Sequence, residues 1–473
     1  MSNTSTTGRR VAGPSSSRRW RPMLVLGLAA MLVTGAALAL QAPAAEQGAT
    51  PTDAPLREPL SVADVACPAS SGSPELSLGS ASAEDGDSET TLRSSSAPEP
   101  VAVPLRAGDA LRGPAPTGPV VVHASGATAP GLFAARFAGP GTTAAGECAA
   151  PTEETWFVGI GTSGLHNSEL QLTNPDSGPA VADLELWSVD GPMEEVRSRG
   201  LTIAGNDSTR IDLSNLAPDR AELAMRVTVS RGRVAASVQD SYSVPGKKPT
   251  LDWLAASADP ATSLVVPGLS KQADERTLVL ANPGDAGGRV EVKVTGAQST
   301  FAPAGLEPIE VPAGEVVVTE LSEQLQAALA QDEDAALQLT STVPVTASMR
   351  GMVSGDLVQL PAVAPASGEM AAMVPPSGEQ VLMLTTSDAG GGAFKARFVG
   401  GDKPSNWRAR LKPGTTTPVP VPEGTVAVVV DGAAPYAGGV RTKTSRGALF
   451  LPLRTLLFDQ VLPEVTPALP DDE

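Results

Sequence analysis

The chain has 473 residues, a formal net charge of −18 at pH 7 and an aromatic content of only 3%. Five of its 34 basic residues and none of its 52 acidic residues lie before Leu40, so the remainder carries a net charge of −23. An acidic surface of that size repels nucleic acid and anionic lipid, which excludes nucleic-acid binding as a function.

The N-terminus carries a membrane-targeting pattern. Residues 1–22 form a basic tail, and Met23–Leu40 is a run without a charge that reaches about 27 Å as a helix. An uncleaved anchor is favoured by the length of this run and by the flanking arginines, which stay in the cytoplasm. A cleaved signal sequence is the alternative, because Ala42-x-Ala44 is a suitable cleavage signature. In both cases residues from Gln41 onward are extracytoplasmic. The predicted location is the cell membrane, with a single pass, or the secreted fraction.

A stretch rich in Pro, Ser and Ala follows. Residues 41–58 predict a linker, and residues 59–150 predict an abbreviated β module with a disordered insert at 80–100, where the apolar surface is too small to offset the ordering entropy. The two cysteines of the chain, Cys67 and Cys148, bracket this module. One pair in an exported chain predicts a structural disulfide, and closing a loop of about eighty residues contributes roughly 4 kcal/mol in the chain-entropy model.

The central part of the chain contains an internal repeat. Four segments recur at one offset of 108 residues, which fixes a module of about one hundred residues. A weaker third copy follows, with Thr386-Ser387 where the first two copies have Asn-Pro. The recurring pairs are Leu170-x-Leu172-x-Asn174-Pro175 with Leu278-x-Leu280-x-Asn282-Pro283, Ala182-x-Leu184-x-Leu186 with Val290-x-Val292-x-Val294, Leu201-x-Ile203 with Ile309-x-Val311, and Leu213 with Leu321.

Alternating apolar residues predict the strands of each module. Residues 223–229 and 234–238 both alternate, so we expect a tight hairpin with Arg231-Gly232 at its turn. The same pattern at 337–345 predicts a hairpin in the next module. Between these strands, Leu321–Leu329 carries a single apolar stripe with helical spacing.

Several short strands per module, separated by Gly and Pro, are typical of two-layer antiparallel sandwiches. The predicted fold is therefore all-β, with tandem immunoglobulin-like β-sandwich modules after an N-terminal transmembrane or signal helix. Proline-rich joints such as residues 361–376 would connect the modules into a rod or a compact cluster. The predicted boundaries are 151–250, 262–365 and 372–458 for the three full modules and 459–473 for an acidic tail.

Residues with chemical potential are scarce. The two histidines, His123 and His166, are too few for a histidine metal site of the usual form. Residues 159–164 have the Gly-x-Gly-x-x-Gly spacing of a dinucleotide loop, but Leu170-x-Leu172 predicts a strand after it rather than a helix. We therefore expect no catalytic residue, no metal and no cofactor. A hydrolase would need a cleft that gathers carboxylates around one histidine.

Asn174 and Asn282 are interpreted as turn residues that bond their own backbone, with the following Pro ending a strand. The third copy has Thr386 instead, so the Asn cannot be a ligand that all three copies share.

Exposed aromatic side chains would indicate carbohydrate binding, because sugar faces stack on them. Trp156-Phe157 begins a predicted strand and Trp187 ends one, which favours positions in a core. The candidates are Trp156, Phe157, Trp187, Trp253 and Trp407.

Cys148-Ala-Ala-Pro151, Trp156-Phe-Val-Gly159 and the Asn174-Pro175 turn, with Cys67-Pro68 and the arginine-rich leader, resemble a family of actinobacterial secreted or membrane-anchored proteins of unknown function. The resemblance extends from about Leu60 to Leu453. It implies an envelope-associated protein and brings no activity, cofactor or site residue with it.

The sequence as a whole predicts a non-enzymatic extracytoplasmic protein of the cell envelope, whose β modules act as a spacer or protein-docking platform. A glycan-binding accessory protein is the alternative. The expected partner is an envelope protein or a cell-wall polysaccharide, and the membrane is contacted through residues 23–40.

Overall fold

The computed structural model describes residues 57–461, apart from 95–96, 140–142, 197, 244–248, 331–333 and 402–404. The predicted basic tail, the membrane or signal segment at 23–40, most of the linker and most of the acidic tail lie outside the described residues. No helix in the described part of the chain is long and apolar enough to cross a membrane. The chain divides into a unit at Pro59–Gln460 and a unit at Met1–Glu58 with Val461–Glu473, of which only residues 57, 58 and 461 are described.

Four repeats of similar strand order make up the larger unit. After β1 (Arg57–Pro59), the first repeat contains β2 (Val62–Cys67), β3 (Glu75–Ser80), β4 (Ser88–Ser94), β5 (Ala97–Ala102), β6 (Ala110–Pro114), β7 (Val120–Gly126), β8 (Leu132–Phe137) and β9 (Ala145–Glu147). The second contains β10 (Glu154–Ile160), β11 (His166–Thr173), β12 (Ala180–Ser188), β13 (Gly191–Pro192), β14 (Ser198–Ile203), β15 (Ser208–Asp212), β16 (Leu223–Arg231), β17 (Ala235–Tyr242) and β18 (Thr250–Leu254), with 3-10 turns at Glu194–Val196 and Leu213–Asn215.

The third repeat contains β19 (Ala261–Ser270), β20 (Glu275–Ala281), β21 (Gly288–Thr295), β22 (Thr300–Phe301), β23 (Ile309–Val311), β24 (Val316–Glu320), the helix α1 (Ser322–Ala328), β25 (Asp334–Val353) and β26 (Asp356–Pro361). The fourth contains β27 (Ala366–Met373), β28 (Glu379–Thr386), β29 (Gly392–Val399), β30 (Ser405–Leu411), β31 (Thr416–Pro420), β32 (Ala427–Lys443), β33 (Ala448–Pro452) and β34 (Arg454–Thr455), and β35 (Asp459–Val461) follows. The predicted boundaries at 250 and 372 therefore fall inside β18 and β27.

Each repeat contains two antiparallel sheets. In the first repeat the sheet that holds the first strand, which we call the front sheet, has the order β2-β7-β4-β5, and the back sheet has the order β6-β3-β8-β9. The second repeat follows the same plan, with β10-β16-β12 in front, β13 and β14 beside β12, and β15-β11-β17-β18 behind. In the third and fourth repeats the long strands β25 and β32 pass from the front sheet into the back sheet.

The two sheets of a repeat share one apolar core. In the second repeat, Leu184 and Met225 of the front sheet belong to the same buried cluster as Leu172 and Val238 of the back sheet. Similar clusters fill the other three repeats. The predicted all-β class is confirmed. The helical stripe is confirmed as well, because α1 buries Leu325 together with the residues at its two ends.

The predicted hairpins are wrong. β16 pairs with β10 and β12, whereas β17 pairs with β11 and β18, so the chain crosses from the front sheet to the back sheet at Arg231-Gly232. In the third repeat, residues 337–345 lie within the single strand β25. Alternating apolar residues can point into one core from either sheet, and the pattern alone therefore cannot distinguish a hairpin from a crossing.

The first repeat is complete rather than abbreviated, and the disordered insert predicted at 80–100 is wrong, because β4 and most of β5 lie there. β4 pairs with β7 from Ser88 to Ser94. Thr90 is buried, and its Oγ1 lies 3.2 Å from Oγ1 of Thr128. Strand pairing therefore satisfies the backbone of this segment although its composition offers little apolar surface.

The repeats close into a ring, because the front sheet of each repeat packs on the back sheet of the next and the fourth packs on the first. At the second–third junction, Trp156 and Val158 of β10 contact Val279 and Ala281 of β20. The last strands of the four back sheets, β9, β18, β26 and β33, contact one another in that cyclic order. The arrangement suggests a four-blade propeller-like body rather than the expected series of tandem immunoglobulin-like sandwiches.

The predicted disulfide joins Cys67 and Cys148, with 2.05 Å between the two sulfur atoms. It connects the end of β2 to the residue after β9, so it links the first and last strands of the first repeat. Ala66 and Ala149 exchange two backbone hydrogen bonds beside it.

A glycine marks the close approach of two repeats. Gly159 interrupts the register of β10 with a φ of +84°, and a Cβ there would lie 2.7 Å from Oγ of Ser348 in the third repeat. The Ser348 hydroxyl donates to the carbonyl of Val158 at 2.6 Å. The junction thus requires a residue without a side chain at this position.

We expect Gly159→Ala to lower the free energy of unfolding by about 1–3 kcal/mol, because it adds a strained backbone to a steric conflict with Ser348. Chemical denaturation of the purified protein measures the change. Gly164→Ala is the matched control, since that glycine has open space around it and no positive φ. Equal stability of the two variants would contradict the close contact.

Candidate functional site

A connected set of largely buried polar side chains lies at the junction of the second and third repeats. We call it the His166 cluster, and it consists of His166, Ser168, Glu222, Asp240, Arg350 and Gln359. His166, at the start of β11, is 3% exposed. Its Nε2 lies 3.0 Å from Oδ2 of Asp240 and its Nδ1 lies 2.9 Å from the carbonyl oxygen of Ala221. Both ring nitrogens face acceptors, which is the environment of a doubly protonated imidazolium.

Charges in the cluster balance across the junction. Glu222 pairs with Arg350 of the third repeat and also lies 3.7 Å from Nδ1 of His166. Burial by itself lowers the pKa of His166, but the carboxylates of Asp240 and Glu222 outweigh burial and raise the pKa above its ordinary value. The guanidinium of Arg350 lies 4.6 Å from the ring centre of Tyr242, so its remaining face is covered by an aromatic ring.

Ser168, Asp240 and His166 are the residue types of a hydrolytic triad, but their hydrogen bonds differ from those of a triad. The hydroxyl of Ser168 donates to Oδ1 of Asp240 at 2.6 Å, so serine and histidine share the carboxylate instead of contacting each other. Gln359 also donates to Asp240, at 2.9 Å. In a Ser-His-Asp triad a histidine nitrogen is the base that takes the serine proton, and both ring nitrogens of His166 face other acceptors here. This geometry holds two repeats together and does not activate Ser168.

His123 occupies a different junction, between the first and second repeats. Its Nδ1 lies 2.8 Å from Oδ1 of Asp64, a buried carboxylate that also accepts from Arg233 at 2.8 Å. Arg233 binds Asp176 in addition, and this hydrogen bond lowers the pKa of Asp176. The two histidines thus lie at two different junctions, and each pairs with a different aspartate.

The middle of the ring contains one buried carboxylate, Asp252, and one half-buried carboxylate, Asp356. Oδ1 of Asp252 in β18 accepts from the backbone N–H of Ala145 in β9 at 3.1 Å. Asp356 in β26 accepts from the hydroxyl of Thr143, and Gly447 of the fourth repeat approaches the same carboxylate closely. Burial raises the pKa of Asp252 well above its ordinary value and raises that of Asp356. With their partners, these two carboxylates bring together residues of all four repeats.

A buried arginine fixes the first repeat. Arg136 is fully buried in β8, and its guanidinium donates to the carbonyl oxygens of Pro68, Pro116 and Gly118. Burial lowers the pKa of Arg136 to about 10. The sequence contains no sign of this role, because the three acceptors are backbone carbonyls.

The Asn-Pro turns are confirmed as structural. Oδ1 of Asn174 accepts from the backbone N–H of Asp176, and its Nδ2 donates to three carbonyls that include Gly178. Asn282 makes the same four bonds in the third repeat. In the fourth repeat the hydroxyl of Thr386 donates to the carbonyl of Lys412 at 2.6 Å and takes over part of this role.

Four of the five aromatic candidates for sugar stacking are buried, and Trp407 is half-buried. Trp156 is 1% exposed and stacks on Trp187, with 5.1 Å between ring centres, inside the second–third junction. Phe157 lies in the core of the second repeat and Trp253 is buried. Trp407 is half-buried against the core of the fourth repeat.

The glycines at 159–164 do not form a phosphate-binding loop. Gly159 belongs to β10, and a strand, β11, follows instead of a helix, as the sequence predicts. Gly161 packs directly against the imidazole of His166. Within the described residues, no group of three or more His, Cys, Asp or Glu side chains is placed to hold a metal ion.

We expect NMR titration of the His166 ring protons to give a pKa above the ordinary 6.5, with His123→Gln used for assignment. Asp240→Asn should move the His166 pKa below 6.5, because burial then dominates. Asp64→Asn, which removes the carboxylate beside His123, should leave the His166 titration unchanged. An unshifted titration in the Asp240 variant would show that Asp240 does not hold the proton on His166.

Asp252→Asn is expected to stabilise the protein at pH 7. The pKa of Asp252 is raised, so its contribution to stability is present below about pH 4 and is lost as the pH rises through the folded-state value. Thermal unfolding from pH 4 to pH 8 should show a gain for the variant that grows with pH. Asp212→Asn is a control for which the opposite effect on stability is expected. Hydrogen bonds from Ser214 lower the pKa of Asp212, so this variant should lose stability as the pH rises. A gain that does not change with pH would contradict the burial argument.

Comparison with known proteins gives a family and no activity. A model for a family of unknown function, DUF5719, matches residues 112–422, which run from β6 of the first repeat to the residues just after β31 of the fourth. No curated protein matches the sequence. Because the match covers more than half of the chain, the protein belongs to the family of unknown function DUF5719.

Proposed function

We propose that the protein is a non-enzymatic component of the cell envelope, located outside the cytoplasm, whose four repeats together form a rigid protein-docking platform. The observation that carries this proposal is ring closure. The outer face of each front sheet packs on the next repeat, so the repeats cannot move independently of one another. A rigid body of fixed loops is suited to presenting a surface to a partner.

Ring closure favours docking over the spacer role. A spacer gains reach when modules follow one another in a line, whereas a closed ring of four repeats folds that length back on itself. The finer fold assignment is part of this proposal: two facing antiparallel sheets around one core support an immunoglobulin-like sandwich as the building block of each repeat.

The polar side chains support a binding role better than a catalytic one. The His166 cluster, the Asp252 and Asp356 carboxylates and Arg136 are all engaged between or within repeats. The disulfide supports an extracytoplasmic location, because such bonds persist in oxidising compartments. Membrane attachment through residues 23–40 or secretion after cleavage remain the two forms of this proposal. The alternative role, glycan binding through stacked tryptophans, receives no support from Trp156 or Trp187.

Photo-crosslinking in intact cells tests the docking proposal. A photoreactive amino acid would be placed singly at Val101, Val189, Val318 and Leu457, which are exposed apolar residues spread over the four repeats. We expect one defined envelope protein to be captured from one or two of these four positions. Leu184, buried in the second core, is the control position and should give no intermolecular product.

Adducts with many unrelated proteins at every position would contradict a specific docking surface. Absence of any protein adduct, together with retention of the chain on cell-wall polysaccharide, would favour the glycan-binding alternative.

A further inference from the structure

The four junctions of the ring share one corner contact. A residue at the far end of one front sheet reaches a loop at the edge of the next back sheet. Arg93 donates to the carbonyl of Pro175 at 2.5 Å at the first–second corner, and Arg397 donates to that of Ala81 at 3.3 Å at the fourth–first corner. Long arginine side chains therefore span two of the corners.

At the other two corners, second–third and third–fourth, the contact is made from corresponding positions of the repeats. Pro192 and Thr300 stand 108 residues apart, and they face Gly314 and Gly414, two glycines with positive φ. Pro192 packs its ring over Gly314, 3.1 Å from the position of a Cβ. Thr300 instead donates its hydroxyl to the carbonyl of Gly414 at 3.1 Å and covers less of the corner.

The third–fourth corner consequently contains a surface groove of about 360 Å³. This volume falls within the range of small-molecule sites, about 300–1,000 Å³. Lys293, Gln298 and Phe301 line it from the third repeat, and Asp388 and Pro413 line it from the fourth. Asp388 lies directly over Gly414, where a Cβ would be 2.6 Å from its Oδ1.

Two polar side chains of this groove, Asp388 and Gln298, differ in their hydrogen bonding from the polar side chains at the second–third corner. There, Asp190, which corresponds to Gln298, pairs with Arg220 at 3.0 Å, and Glu185, which corresponds to Lys293, pairs with Arg226. Among the described residues, nothing donates a hydrogen bond to Asp388. Equivalent side-chain positions are therefore paired within the protein at the second–third corner, whereas at the third–fourth corner Asp388 and Gln298 lack such partners.

The same holds for the other polar side chains of the groove. Within the described part of the chain, no residue hydrogen-bonds to the side chain of Gln298, and Lys293 has only a 3.8 Å contact with Glu291.

The chemistry of the groove selects the class of ligand. One ammonium and one carboxylate nearly cancel, so a ligand with strong net charge gains little. An amide, hydroxyls and a carboxylate offer closely spaced donors and acceptors, and the partly buried ring of Phe301 adds a flat apolar surface. Neutral molecules that match both features are polyhydroxylated.

We propose that the groove at the third–fourth corner binds a short neutral saccharide, with Asp388 and Gln298 bonding its hydroxyl groups. This site is independent of the docking proposal and of the tryptophans considered above. No local sequence pattern indicates this site, because the two halves of the groove lie about ninety residues apart in the chain.

Isothermal titration calorimetry of the full chain tests the site. The probes are neutral tetrasaccharides built from glucose, mannose or galactose, with tetra-alanine as a peptide probe. We expect at least one saccharide to bind with a Kd of about 1 mM or below. Asp388→Ala should weaken binding about tenfold or more, since a hydrogen bond to a charged group is lost. Asp285→Ala, an exposed carboxylate in the corresponding loop of the third repeat, is the matched control.

A second variant tests the position of the site by occlusion. Thr300→Arg places at this corner the long side chain that Arg93 and Arg397 provide elsewhere, and it should abolish saccharide binding without lowering the unfolding temperature. The proposal is overturned if no saccharide binds, if the Asp388 and Asp285 variants bind equally well, or if tetra-alanine binds and the saccharides do not.

Discussion

The contact on which the rest of the structure depends is the packing of one front sheet on the next back sheet. This interface joins two different surfaces, so a series of identical contacts either continues indefinitely or closes. Here it closes after four repeats within one chain. Closure leaves no front sheet of the four without a covering back sheet, and it explains why front strands such as β10 and β27 are apolar on both faces. A strand buried on both sides loses the alternation that identifies a half-exposed strand.

Ring closure also requires that each front sheet pack on the correct back sheet, because the four similar apolar faces could otherwise pair with the wrong repeat. Each junction contains a different ion pair: Arg233 with Asp64, Arg350 with Glu222, Arg441 with Asp334, and Arg454 with Glu147. Arg350–Glu222 and Arg441–Asp334 are largely buried on both sides, and there desolvation offsets much of the attraction, whereas an unmatched buried charge is costly. We infer that these pairs contribute mainly to the choice of neighbour and less to net stability.

Local signals in the sequence were sufficient for local structure. The helix α1, the Asn174 and Asn282 turns and the disulfide depend on spacing within a short segment or on a single pair of cysteines. The crossing at Arg231-Gly232 was missed because a hairpin and a crossing bury the same side chains. The His166 cluster was missed for another reason, since Gln359 lies 119 residues from Asp240. Polar partners at such distances follow from ring closure, which no local pattern encodes.

Repetition itself separates structural from functional residues in this chain. A feature that recurs at equivalent positions, such as the turn asparagine of two repeats or the glycine of two corners, serves the common architecture. A feature present at one position only is free of that requirement, because three other repeats fold without it. The unpaired Asp388 and Gln298 belong to this second group, whereas each of the four junctions has an ion pair of its own. In a body built from four versions of one unit, the residues that break the symmetry at the surface are therefore where binding specificity is to be sought.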